Sequence, residues 1–168
     1  FVDHHSLAGA VSLVANKDKV LDVETVGYAD IAAKKPMRAD NVFWIASKSK
    51  AMTAAALMML VDEGKVNVDD PVEKYLPEFK ALNQVAVTVD GKRVLKPVSH
   101  PITVKNILTH TSGLAFKSAI EKPTFDLQPL AERVKSYTAA PLILQPDTKY
   151  SYSNAGFNTA GRIIEVVS

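Results

Sequence analysis

Ser47-Lys48-Ser49-Lys50-Ala51-Met52-Thr53-Ala54-Ala55-Ala56-Leu57-Met58-Met59-Leu60-Val61-Asp62-Glu63-Gly64 is the stretch that decides how this chain is read. Consecutive alanines and straight-chain apolar residues favour helix, serine is a residue type that caps one, and glycine is the type that ends one. The pattern predicts a helix over residues 47–63 with Ser47 as its cap. The segment is apolar nearly all round, which predicts a buried helix with its methionines as core filler. Ser47 and Lys50 lie three residues apart at the mouth of this helix, so they share a face. A helix N-terminus carries partial positive charge and unpaired N–H groups, which favours an anion on a serine oxygen or a bound acyl group. A lysine held in an apolar site loses proton affinity and could take the serine proton. The plainer reading is a capping serine followed by a surface lysine. Ser49 is a weaker nucleophile candidate, because Met52 rather than lysine stands three residues on.

Upstream, residues 9–15 alternate small and β-branched types, Asn16-Lys17-Asp18-Lys19 is turn-like, and residues 20–26 alternate again. This predicts two antiparallel strands joined by a short turn, followed by a loop over residues 27–40 broken at Pro36. Downstream, Asp69-Asp70-Pro71 reads as a cap with proline in the first turn of a short helix. Asp90-Gly91 inside residues 85–95 predicts a hairpin. Thr103 is placed to cap a short helix over residues 103–109, with Ser112-Gly113 as the break. A helix is expected over residues 127–137 with Asp126 as a cap, then an extended piece between Pro141 and Pro146. Phe157, Ala160, Gly161, Ile164 and Val167 fit one face of a last helix. Strands at the start and helices after them predict an α+β fold.

The chain has 168 residues, 47% of them hydrophobic and 23% charged, enough for a real core in one domain or a large part of one. Its net charge of +2 gives no reason to expect a nucleic-acid partner. It has no cysteine, so a disulfide framework, a thiolate nucleophile and cysteine-bound zinc are excluded, and no metal or organic cofactor is implied. No apolar run reaches the ~20 residues that would span a bilayer. The chain opens with Phe1 rather than Met, which reads as a processed or trimmed product.

Tyr150-Ser151-Tyr152-Ser153-Asn154 is the second dense polar cluster. In an extended segment Tyr152 and Asn154 face the same side. A phenol beside a lysine could pass protons, and an asparagine amide could orient both the lysine and a substrate carbonyl. The alternative is a polar turn before the last helix, with Asn154 as its cap.

Taken together, these segments resemble the serine β-lactamase-like family, which includes class C β-lactamases, D-Ala-D-Ala carboxypeptidases and related carboxylesterases. The resemblance rests on Phe43-Trp44-Ile45-Ala46-Ser47-Lys48-Ser49-Lys50, on Leu108-Thr109-His110-Thr111-Ser112-Gly113-Leu114 and on Tyr152-Ser153-Asn154, in the family's order and over nearly the whole chain. It implies Ser47 as the acylated nucleophile, Lys50 as its activator, Tyr152 as general base or proton relay, and Asn154 as the residue holding Lys50 and substrate. It implies the Ser47 backbone N–H as one oxyanion donor and a structural role for His110. The implied substrate is a small-molecule carboxylic ester or a β-lactam or peptide amide. A penicillin-recognising or catalytically silent binding domain of the same fold is the competing reading. Two departures stand out. Asp147 occupies a position where the family usually has glycine. The family's third motif, a K-T-G-like or H-x-G strand, is not present. The expectation is therefore an N-terminal portion of a single domain, residues 1–168, whose remaining C-terminal sheet strands belong to the rest of the protein.

Overall fold

Asn16 builds the first turn with its own side chain: its Oδ1 accepts from the backbone N–H groups of Asp18 and Lys19, at 2.9 Å each. The computed structural model describes residues 2, 4, 6–122 and 127–168. On either side of the turn, β1 (Gly9–Ala15) and β2 (Val20–Asp30) pair antiparallel, with Leu13 opposite Val23. β2 runs past the predicted end. A short β3 (Lys35–Pro36) returns along it and puts Pro36 opposite Tyr28 on the sheet edge, where a missing N–H is tolerated. The stretch expected to be loop is therefore partly paired. Gly27 makes this possible: its φ is +75°, and a Cβ there would come within 2.3 Å of the Ala8 carbonyl oxygen. These strands belong to the first of two compact units, Phe1–Ala46.

The second unit is Ser47–Ser168. A 3-10 turn over Ala46–Lys48 leads into α1 (Ser49–Asp62), so the helix starts later than predicted. Lys48 holds the cap position without a side-chain bond, and Ser47 does not cap the helix. The C-terminus closes as a Schellman motif, with Gly64 at φ +71°, Gly64 N–H donating to Val61 and Lys65 N–H donating to Leu60. Only Leu57 and Leu60 of α1 are buried. Met59 is 63% exposed and Met52 58%, so the predicted all-round burial is wrong. An apolar circumference showed that the helix could be buried, while burial itself depends on which side meets a neighbour, and α1 packs on the last helix along one side.

After α1, the Asp70 carboxylate accepts from Lys74 and from the Tyr75 hydroxyl. Pro71 precedes a single 3-10 turn, Val72–Lys74, instead of starting an α-helix. A second 3-10 turn covers Pro77–Ala81. β4 (Gln84–Val89) and β5 (Lys92–Pro97) form the expected hairpin, with positive φ at both Asp90 and Gly91 as a type I′ turn demands. Leu142 lies along β4 and exchanges backbone hydrogen bonds with Gln84 and Ala86, so the piece between Pro141 and Pro146 starts as an added strand bridge.

α2 (Val104–Leu108) carries the expected Thr103 cap as a reciprocal box with Asn106. α3 (Leu130–Ser136) is shorter than predicted because Pro129 stands at its N-cap. The alternative cap, Asp126, falls outside the described residues. α4 (Asn154–Val167) packs against α1, α2 and α3. Its fully buried residues are Ala155, Gly156, Thr159, Ala160 and Ile163, a face rotated from the predicted one. A helix with three helical neighbours presents its small residues to them. A Cβ on Gly156 would sit 2.8 Å from the Ile107 carbonyl oxygen. The core of this unit joins Leu57, Val72, Ile107, Val134, Leu142 and Ile163.

Candidate active site

Ser47 sits in the 3-10 turn just before α1, after Ala46 at φ +45°, a left-handed value that costs alanine energy. Its side chain is therefore free of capping duty. Lys50, in the first turn of α1, places Nζ 3.2 Å from Ser47 Oγ. From the other end of the unit, Tyr152 brings its hydroxyl to 2.7 Å from the same Oγ. Asn154 Oδ1 accepts from Lys50 Nζ at 2.7 Å. The four residues singled out in the sequence thus form one chain of contacts, Tyr152 to Ser47 to Lys50 to Asn154.

Local chemistry explains why Asn154 reaches the lysine. The N-cap of α4 is Ser153, whose Oγ accepts from Gly156 N–H and donates to the Ala115 carbonyl. Asn154 is relieved of the capping role that the alternative reading gave it. Lys50 is half-buried, and besides its oxygen partners Nζ lies 4.8 Å from the Tyr152 ring centroid and 5.9 Å from that of Phe157. Hydrogen bonding from Lys50, then from Ser47, lowers the Tyr152 proton affinity below that of an ordinary phenol.

His110, read from the sequence as structural, makes contacts of that kind. It adopts φ +59°, its carbonyl accepts from Ser151 N–H at 2.8 Å, and its Nδ1 accepts from Ser153 N–H at 3.1 Å. Its ring centroid is 4.6 Å from that of Tyr152. Burial and then the charge of Lys50 lower its proton affinity. Phe116, which sequence reasoning overlooked, stacks on Tyr152 with ring centroids 6.2 Å apart. Neither residue has a spacing relation to Ser47 that a linear reading could use.

Asp147 explains its own departure from glycine. It takes φ +62°, the left-handed conformation a glycine would supply without strain. Its carboxylate accepts from Asn106 Nδ2 at 2.6 Å and from Thr111 Oγ1 at 3.3 Å, while its N–H donates to the Thr111 carbonyl. The turn is kept, and side-chain bonds offset the strain.

Among the described residues no three His, Cys, Asp or Glu side chains gather as a metal site, and no helix is long and apolar enough to cross a membrane.

A family model described as Beta-lactamase matches residues 1–168. This chain belongs to the β-lactamase family. It is 39% identical over 159 residues to protein Rv1367c of Mycobacterium tuberculosis, covering 89% of this chain and 39% of that protein. It is 32% identical over 174 residues to esterase EstB of Burkholderia gladioli, covering 95% of this chain and 41% of that one. Among solved structures, EstCE1, described as a hydrolase with promiscuous acyltransferase activity, superposes with a TM-score of 0.75 at 27% identity. That match covers 99% of this chain and 44% of EstCE1. The chain thus spans about two-fifths of the length of these β-lactamase-family relatives. Its fold is the β-lactamase-like α+β fold expected from the sequence, and its relatives include an esterase and a structure described as a hydrolase.

Proposed function

We propose that this chain carries the acylating residues of a serine hydrolase that works on carboxylic esters through an acyl-enzyme. The observation behind the proposal is the position of Ser47 Oγ between Tyr152 Oη at 2.7 Å and Lys50 Nζ at 3.2 Å. An ionised Tyr152, stabilised by the Lys50 ammonium, takes the Ser47 hydroxyl proton as Oγ bonds to the substrate carbonyl carbon. Tyr152 then passes that proton to the leaving alkoxide as the C–O bond breaks, and an alcohol departs. Water then attacks the acyl carbonyl carbon as the same phenolate takes its proton, and Tyr152 returns that proton to Ser47 Oγ as the acyl C–O bond breaks, releasing the acid and regenerating the Ser47 hydroxyl. The Ser47 backbone N–H stabilises the oxyanion in both steps. Asn154 fixes Lys50 against Tyr152.

The resemblance to the esterase EstB favours ester substrates over β-lactams. The same chemistry would acylate on a β-lactam or peptide amide, and a binding domain that acylates without turnover is the competing reading. Incubating the full-length protein with a fluorophosphonate and, separately, a penicillin distinguishes them. The expected result is a fluorophosphonate adduct on the peptide containing Ser47, lost in Ser47→Ala, with turnover of short p-nitrophenyl esters. Absence of any adduct at Ser47 with either reagent would sink the nucleophile assignment. A stable penicillin adduct with no ester turnover would favour the binding domain.

A further inference from the structure

We propose that His110 is a positioning residue for this site, holding the Tyr152–Asn154 element in register with Ser47 and Lys50 through its neutral imidazole. The proposal rests on the serine-hydrolase reading above. His110 holds the segment leading to α4 at two donors on either side of Tyr152, its carbonyl taking Ser151 N–H and its Nδ1 taking Ser153 N–H. Tyr152 lies between those two anchors, with its ring against the imidazole at 4.6 Å. The same imidazole meets Tyr150 at 5.5 Å and Phe157, in the first turn of α4, at 5.2 Å. His110 therefore anchors the backbone on both sides of Tyr152, with its carbonyl before it and its imidazole after it, and the imidazole is the part that also meets the Tyr152 ring.

A backbone N–H only donates, so Nδ1 must be unprotonated and the ring proton must sit on Nε2. Protonation would set Nδ1–H against Ser153 N–H and add a second positive charge near Lys50. The ionisable groups facing the ring are Lys50 on α1 and Tyr150 and Tyr152 on the approach to α4. Lys50 and burial both favour the neutral form, so the grip holds through neutral pH and fails only below the ordinary histidine range of about 6.5.

The test uses the full-length protein and p-nitrophenyl acetate. In wild type two protons must leave before the site is competent, one from Tyr152 and one from His110. Log kcat/KM should therefore fall with slope approaching two at the acid end of the profile. His110→Asn keeps an acceptor for Ser153 N–H on a residue that tolerates the left-handed backbone. It should be active at pH 8, with reduced kcat, and show a slope of one throughout. His110→Phe keeps a ring and loses the acceptor. It should lose about 10²-fold in kcat at pH 8 with KM little changed, the size of loss expected from misplacing a reacting group. Identical acid slopes in wild type and His110→Asn would overturn the proposal, as would wild-type kcat in His110→Phe. Failure of wild type to form the fluorophosphonate adduct at Ser47 would instead overturn the reading on which the proposal rests. Because the profile of His110→Asn decides the matter alone, a misfolded His110→Phe does not spare it.

Discussion

At the scale of single residues, Asn154 shows how a neutral amide differs from the carboxylate it resembles. Its Oδ1 holds Lys50 Nζ at 2.7 Å without adding charge, which, in the proposed mechanism, leaves the ammonium free to stabilise negative charge on Tyr152. Asn154→Asp would keep the bond to Lys50 and spend part of its field. A carboxylate on Lys50 offsets the positive charge that favours the phenolate, so the phenol would need a higher pH to ionise. The expected result is a kcat/KM profile whose rise through Tyr152 ionisation moves to higher pH, with activity approaching wild type at the alkaline end. An unmoved profile would mean that Tyr152 does not ionise in the rate-determining steps. Tyr152→Phe is the companion test. It keeps the ring against His110 and Phe116 and removes the hydroxyl, so ester turnover should fall by about 10²–10⁴-fold with little change in melting temperature. Ser47, Lys50, Tyr152 and Asn154 were all legible in the sequence, because each sits in a short motif of polar residues. His110 was legible only as a family match, because its role depends on a fold that brings residues 110 and 153 together.

At the scale of elements, the turns and caps were easier to read than the faces. Asp90-Gly91, Thr103 and Gly64 act through their own backbone neighbours, and each does what its residue type predicts. The faces of α1 and α4 were misread because burial depends on distant partners. α4 was assigned by its large apolar residues, whereas its tightest contacts are made by its small ones. This yields a paired prediction. Gly156→Ala places a Cβ 2.8 Å from the Ile107 carbonyl oxygen, and that backbone has no easy way to yield. The overpacking cost of about 1–3 kcal/mol exceeds the gain in helix propensity of about 1 kcal/mol, so the variant should be destabilised. Gly161→Ala meets only the end of the Leu130 side chain, at 3.4 Å, and should be stabilised by about 0.5–1 kcal/mol. Urea unfolding of the two variants of the full-length protein would show opposite signs. Equal shifts in the same direction would mean that α4 does not meet α2 through Gly156.

At the scale of the whole chain, apolar surface decides how residues 1–168 behave as a separate molecule. The first unit exposes Leu13, Val14, Val20, Leu21 and Val26 on the two faces of its hairpin, with Leu13 at 60%. Its three-stranded sheet ends on β1 and β3, and among the described residues β1 offers one row of backbone groups without a neighbouring strand. In the second unit, Met52 and Met59 leave one side of α1 apolar and exposed. A net charge of only +2 supplies little repulsion to keep such surfaces apart. Exposed apolar patches and a free strand edge together predict self-association. Residues 1–168 expressed alone at tens of micromolar should therefore scatter light as species heavier than the 18.2 kDa monomer. Placing lysines on the hairpin, as Leu13→Lys on the edge strand β1 with Leu21→Lys on its partner β2, should shift the distribution toward monomer, because charge on an edge strand opposes strand-to-strand addition and charge on an exposed face breaks its apolar patch. A second pair in the other unit, Met52→Lys with Met59→Lys, separates the two contributions: recovery of monomer there would assign the association to α1. A monodisperse 18.2 kDa species from the unmodified chain would show that neither surface drives association.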